Sequence, residues 1–181
     1  MMPNWAFGEV KVTGTKPCIK AFLQRFLQPT EPCAVEGKKY FARSFLYEDR
    51  ERYERDIEDL FRNNPEERDT FIIPAEFAWS ASTCVIGRYP EIHPDTCITL
   101  QEACQEDQVD VHITTTEYGM CFCEEITCTA SGELEDKCSP LREAVCEKCG
   151  TIQSISCFED YDEAVCCECS QEGLVPVKEE E

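Results

Sequence analysis

Two cysteine pairs near the C-terminal end carry the clearest chemistry in this chain. Cys146-Glu-Lys-Cys149-Gly150 and Cys166-Cys167-Glu-Cys169-Ser170 each have C-x2-C spacing, and sixteen residues separate them. A C-x2-C turn offers two thiolates from one tight loop, and two such turns supply the four soft, tetrahedral ligands that Zn²⁺ prefers. Gly150 permits the backbone bend after the first turn. The intervening stretch is long enough for a hairpin, with residues 151–158 running out, 163–165 returning and 159–162 turning. The expectation is a zinc ribbon in which Cys146, Cys149, Cys166 and Cys169 hold one structural Zn²⁺. Cys167 adjoins two of these ligands, but the two-residue gap favours Cys166. A closed four-thiolate site has no open position for water and hence no Lewis-acid chemistry. Its four thiolates and one Zn²⁺ add −2 to a formal charge that is already −20.

The other reactive side chains form weaker patterns. Cys121, Cys123, Cys128 and Cys138 are candidates for a second metal site or for simple packing. Their spacing matches no common ligand set, and in a strand Cys128 faces opposite to Cys121 and Cys123. There are two histidines, His93 beside prolines in a loop and His112 on the polar side of a strand, and no local signature joins either to an activated thiol. No glycine-rich phosphate loop is present. The carboxylates fall in runs, at 102–110, 159–163 and 179–181, rather than as an isolated acid–base pair with divergent environments. The expectation is a protein that is not an enzyme.

Charge and composition narrow the remaining classes. Seven Lys/Arg and three Asp/Glu precede residue 47, a balance of +4, whereas ten against thirty-four follow it, a balance of −24. Direct attraction to duplex DNA needs basic patches that displace counterions, and none is visible beyond residue 46. So acidic a surface repels phosphate and steers cationic partners toward it. Fifteen cysteines in a secreted chain would suggest a disulfide scaffold. Here the start has neither a basic nor an apolar leader segment, the count is odd, and four cysteines already have metal spacing. A reducing cytoplasm is the expected location. No apolar run approaches the roughly 20 residues that cross a bilayer, so no membrane role is expected.

These groups must be positioned by elements that the apolar periodicity outlines. Residues 9–13 alternate as a half-buried strand, and Gly14 ends it. Thr15 caps a helix with Pro17 in its first turn and Ile19, Phe22, Leu23, Phe26 and Leu27 on one face. A loop at 29–39 and a second strand at 40–46 follow. A charge-dense helix at 48–63 is braced by Glu48–Arg52, Glu51–Arg55 and Glu58–Arg62 pairs, carries Tyr53, Ile57, Leu60 and Phe61 as its stripe, and stops at Asn64-Pro65. Residues 70–79 are extended, with Pro74 marking an edge or a bulge. Asp95 or Thr96 caps a short helix through Cys104. Strands at 109–114 and 121–129 complete an α+β layer with helices on one sheet face. Its expected core includes Val10, Val12, Phe22, Phe26, Leu60, Trp79, Val111 and Ile113. The units are an α+β body at 1–134, the ribbon at 135–175 and an acidic tail at 176–181.

Asn4-Trp5, then Val10-Lys11-Val12-Thr13-Gly14 and the amphipathic helix, resemble the opening of the YubB-type ferredoxin-like proteins of plasmids and phages. The later aromatic strand with Trp79, the polar helix, the alternating strand, Glu117-Tyr118-Gly119 and Phe122 are similar too, so the likeness spans about 3–134. Two features depart from that family: Ala6 stands where it usually has Cys, and the ribbon lies outside its pattern. The resemblance implies a ferredoxin-like antiparallel sheet and a mobile-element origin, and it supplies no activity or catalytic residues. Spaced carboxylates on a rigid scaffold can imitate a phosphate backbone for Arg and Lys in a groove. The expected function is therefore binding to a basic nucleic-acid-processing protein of the host, as a nucleic-acid-mimicking inhibitor of a defence nuclease such as a CRISPR effector. The alternative is a zinc-ribbon accessory protein of transcription or replication that touches nucleic acid through Lys11, Lys16, Lys20, Arg25, Lys38, Lys39 and Arg43.

Overall fold

A computed structural model describes residues 4–26, 39, 41, 45–46, 50–62, 67–87, 95, 97–170 and 172–177. Strand β1 (Trp5–Gly14) buries Ala6, Val10 and Val12 on one side and leaves Phe7 exposed on the other, as side-chain alternation along a strand requires. It begins four residues before the alternation at 9–13 does. Helix α1 (Lys16–Phe26) follows at once and buries Ile19, Phe22, Leu23 and Phe26. Thr15 holds the cap position, its carbonyl accepting from the Ile19 N–H at 2.9 Å. Its hydroxyl turns instead to the Cys18 sulfur at 3.1 Å.

The chain continues through β2 (Phe45–Leu46), α2 (Arg50–Leu60), β3 (Asp69–Ala78), α3 (Ala81–Val85), α4 (Leu100–Asp107), β4 (Asp110–Glu117), β5 (Phe122–Cys128) and β6 (Leu134–Pro140). These six strands form one antiparallel sheet in the order β2-β3-β1-β4-β5-β6. β1 lies between β3 and β4, with Val10 opposite Ile73 and Ile113, and Val12 opposite Phe71 and Val111. Those side chains pack with Ile19, Phe22, Phe26, Ile57, Phe61, Leu100 and Ala103 from the helices in one core. The opposite sheet face leaves Phe7 and Ile72 about half exposed. A mixed α+β layer with an antiparallel sheet is what the sequence predicts. No helix among the described residues is long and apolar enough to cross a membrane.

Several details differ from the sequence expectation. Trp79 and Leu60 are 37% and 38% exposed rather than in the core. Trp79 adopts φ 75, which breaks the strand alternation just where it would have turned inward. Leu60 ends α2 between Ile57 of the helix and Phe61 just past it, and those two take the buried positions. The helix expected from residue 95 or 96 starts at Leu100, where Thr99 forms a complete capping box with Glu102. Helix α3 was not expected at all. Pro74 pairs opposite Glu9 in an unbroken register, and no described strand lies beyond it on the far side, where a missing N–H is tolerated. The predicted final strand is followed by β6, so the sheet extends to Pro140, past the boundary expected at 134. Most of the loop at 29–39 and strand at 40–46, the stop at 64–65 and the tail from 178 lie outside the described residues.

Charge is used inside the body. Arg25 donates from Nε to Asp107 at 2.7 Å and from Nη2 to Glu106 at 2.7 Å, tying α1 to α4. Asp107 is buried there, although its sequence run suggested a solvated surface. Glu124, also buried, accepts from the Ala81 and Ser82 N–H groups and from the Thr115 hydroxyl, and so anchors the start of α3 to β5. Burial raises its pKa against the lowering effect of those bonds. Glu58 does not pair with Arg62. It receives Lys16 and Lys20 from α1, while Arg62 pairs with Asp59.

Two expectations follow. Ile113→Ala, at a fully buried position opposite Val10, should destabilise the chain by about 2–5 kcal/mol in denaturant unfolding. Glu58 offers a pH test, because hydrogen bonds from Lys16 and Lys20 pull its pKa from the ordinary 4.5 to about 2. A depressed carboxylate contributes stability above its ordinary pKa and loses it as pH falls through the folded value. The stability difference between the wild type and Glu58→Gln should therefore be constant above 4.5 and vanish on acidification toward about 2. It should also shrink in high salt, as for any exposed pair.

Candidate metal centre

Beyond β6 the chain forms a second, three-stranded antiparallel sheet from β7 (Arg142–Val145), β8 (Ile152–Ile155) and β9 (Val175–Pro176), in the order β8-β7-β9. The first cysteine pair is the turn between β7 and β8. The Cys146 N–H donates to the Thr151 carbonyl at 2.9 Å, and the Gly150 N–H returns to the Cys146 carbonyl at 2.8 Å. The second pair repeats the device: the Ser170 N–H donates to the Cys166 carbonyl at 2.9 Å, and a Val165–Glu172 bridge closes the base. Each turn ends on a left-handed residue, Gly150 at φ 75 and Ser170 at φ 52. Glycine takes that conformation freely; for serine it is strained.

This arrangement revises the expected hairpin. Residues 151–158 do not pair with 163–165; β8 returns against β7, and Val165 pairs with Glu172. A C-x2-C turn is itself tight enough to close an antiparallel pair, so the strand partner lies before the first cysteine pair. Gln153 on β8 joins the two turns, donating to the Val165 carbonyl at 2.9 Å and accepting from the Cys167 N–H at 2.8 Å. Nothing in its sequence context marked it. Nor does the ribbon sheet end at 175, since Pro176 still pairs with Ala144.

The four predicted sulfurs converge. Cys146 and Cys169 are 3.7 Å apart, Cys149 and Cys166 are 3.5 Å apart, and all four lie within 4.8 Å of one another. A tetrahedron with metal–sulfur bonds of ~2.3 Å has sulfur–sulfur edges of about 3.8 Å, close to the two shorter separations, so the set has the size of a single-ion site. Cys146, Cys149, Cys166 and Cys169 can therefore hold one metal ion. Cys146 and Cys166 are buried with Ala144, Ile155, Ala164 and Leu174, which fixes their side chains from below, while Cys149 faces solvent. The Thr151 hydroxyl and amide bring the Cys149 thiol down to about 6, which favours the thiolate that a metal needs. Arg142 clamps the following loop, donating to the Ser156 carbonyl at 3.1 Å and to the Glu159 carbonyl, with its guanidinium 4.6 Å from the Tyr161 ring centre.

The second cysteine set does not assemble among the described residues. Cys121 and Cys138 are exposed, Cys123 and Cys128 lie on opposite faces of β5, and Cys138 stands on β6 opposite Glu124. Cys128 instead meets Cys104 of α4 in the core, where that contact and burial push the Cys104 thiol far up. His112 pairs with Glu125 across β4 and β5 at 3.1 Å, and His93 lies outside the described residues. No known protein family, curated protein or solved structure matches the chain.

Metal analysis of protein purified under reducing conditions should give close to one ion per chain. Cys166→Ser should release it, because binding free energy at such sites is folding free energy. Hydrogen exchange should then rise across β7–β9 while β1, β3 and β4 stay protected. A metal-free wild-type preparation would refute the assignment.

Proposed function

We propose that this chain is a non-enzymatic, acidic zinc-binding protein that acts by binding another protein. Zinc is the ion that best suits four thiolates at tetrahedral spacing, and a site closed by four protein ligands holds structure and leaves no position for a substrate. Cys146, Cys149, Cys166 and Cys169 would ligate it.

One observation carries the choice of partner. Four of the seven cations that would have served a nucleic-acid surface are taken by the chain's own carboxylates, and among the described residues only Lys39 of that set has no such pair. Lys11 pairs with Glu9, Lys16 and Lys20 with Glu58, and Arg25 with Asp107 and Glu106. Lys38 and Arg43 lie outside the described residues. Meanwhile Asp160, Asp162, Glu163 and Glu168 stand exposed on the ribbon, and Glu133, Glu135 and Asp136 on β6 and the turn before it. A field of this sign attracts a basic groove and repels phosphate. The partner we favour is a basic nucleic-acid-processing protein, and the resemblance to plasmid and phage proteins makes a host defence nuclease the natural class. The same resemblance suggests that the body is ferredoxin-like. In support, β2, β3, β1 and β4 are neighbours in that order, with α1 after β1 and α4 before β4, which leaves α2, α3, β5 and β6 as additions.

Zinc-loaded protein alone should give no gel shift with duplex DNA at about 0.15 M salt, whose screening length is about 8 Å. Its capture of a basic nuclease from host lysate should weaken as salt rises. Replacing Glu159, Asp160, Asp162 and Glu163 with Gln or Asn should weaken that capture more than replacing Glu133, Glu135 and Asp136, or the reverse. Tight DNA binding by the protein alone would overturn the proposal, and equal tolerance of both substitutions would reduce the acidity to solubility.

A further inference from the structure

Where the ribbon meets the large sheet, a buried sulfur is surrounded by hydrogen-bond donors. Cys123 on β5 faces away from the helix core, and its side chain is almost wholly shut off by the segment that follows β8. The Cys157 N–H donates to its Sγ at 3.1 Å. The Ser156 hydroxyl lies 3.5 Å from the same sulfur and the Thr116 hydroxyl 3.7 Å from it, and these two hydroxyls are 2.8 Å from each other. The two thiols are close enough for each to shift the other's ionisation. Because the Cys157 nitrogen is 3.1 Å from the Cys123 sulfur, the Cys157 Cα is no more than about 4.6 Å from it, one N–Cα bond further. That separation suits a disulfide.

The two thiols differ in a way that suits sequential reaction. Burial opposes ionisation of Cys123, but the converging donors outweigh it and bring its pKa below the ordinary thiol value. Burial and donation to Cys123 push Cys157 up to about 12. Cys157 is nevertheless the partly exposed member of the pair, and the Arg142 charge acts on it. Outside the metal centre, Cys104 and Cys128 form another neighbouring pair among the described residues, sealed in the main core with both residues buried.

We propose that Cys123 and Cys157 form an oxidisable dithiol that takes a small hydroperoxide and closes to a disulfide joining the ribbon to the large sheet. The Cys157 thiol first passes its proton to the neighbouring Cys123 thiolate, and the Cys157 thiolate so formed attacks the peroxide: the O–O bond breaks, an S–O bond forms, and Cys123 gives the proton to the departing oxygen, which leaves as the alcohol (or as water, when the oxidant is hydrogen peroxide). The Cys123 thiolate then attacks the Cys157 sulfur, the S–S bond forms, the S–O bond breaks, and hydroxide departs to be protonated to water. Two thiols are oxidised by two electrons and one peroxide is reduced. The second step needs no solvent access to Cys123, since its sulfur is already held 3.1 Å from the backbone nitrogen of Cys157.

The test uses the zinc-loaded full chain, in which the ligand thiols are occupied, treated with a small excess of hydrogen peroxide. After alkylation and non-reducing digestion, mass spectrometry should find the peptides of Cys123 and Cys157 linked, two hydrogens lighter than their sum, and separable with dithiothreitol. Ser156→Ala, which removes one donor to the Cys123 sulfur, should slow closure several-fold at unchanged zinc content, and Ser156→Thr should restore the rate. Recovery of both sulfurs as free thiols, while exposed Cys121, Cys138 or Cys167 are oxidised, would overturn the proposal. So would any other fate of the pair, whether linkage to a different cysteine or over-oxidation without linkage.

Discussion

The burial of alternate side chains along β1 is the constraint from which the rest of the body follows. Because β1 is hydrogen-bonded on both flanks, its register against β3 and β4 determines which of their residues face inward. A slip of one residue would move Val10 and Val12 to the open face and expel Ile73 and Ile113 with them. The helices then have one apolar surface to cover, and α1 does so with four large residues at helical spacing. Gly8 belongs to the same constraint. A side chain there would collide with the Thr114 carbonyl, so the close approach of β1 and β4 at that point requires glycine.

Around this core the chain spends part of its negative charge internally. Asp107, Glu117 and Glu124 are buried, and each has a specific donor set: the Arg25 guanidinium, the Gly119 and Met120 amides, and the amides that open α3. Burying an ionisable carboxyl is costly unless its oxygens are bonded. These three are bonded at corners where the chain changes direction, so each acid fixes a turn or a helix start that apolar packing leaves loose. Other carboxylates stay exposed on the ribbon and β6, and also on α2 and α4, where Asp56, Asp59, Glu102 and Glu106 face solvent.

The ribbon has too few apolar residues to hold itself. Its core is Ala144, Ile155, Ala164 and Leu174 around two of the cysteines, so the sulfur cluster supplies cohesion that a larger hydrophobic core would otherwise provide. It is also seated on the large sheet. The Leu141 N–H donates to the Cys121 carbonyl at 3.1 Å, and Ser156 meets Thr116. The cysteine cluster and the sheet contact thus lie at opposite ends of the same small segment.

Local pattern alone determined which four cysteine sulfurs converge, and with them β1, α1, β4 and the α+β class. In each case the information lies in residue spacing: two residues between thiols, two per strand repeat, 3.6 per helical turn. Tertiary structure decided what spacing does not encode. β6 has the composition of a surface loop and becomes a strand only because the edge of β5 offers it a ladder, which is why the expected boundary at 134 fell short. The partner of β8 depended on where the first cysteine turn reversed the chain. Trp79 left the core because a left-handed backbone overrode its alternation. The partners of Glu58, Arg25 and Cys123 stand 42, 82 and 34 residues away in Lys16, Asp107 and Cys157, and no periodicity within one element reports a contact between distant elements.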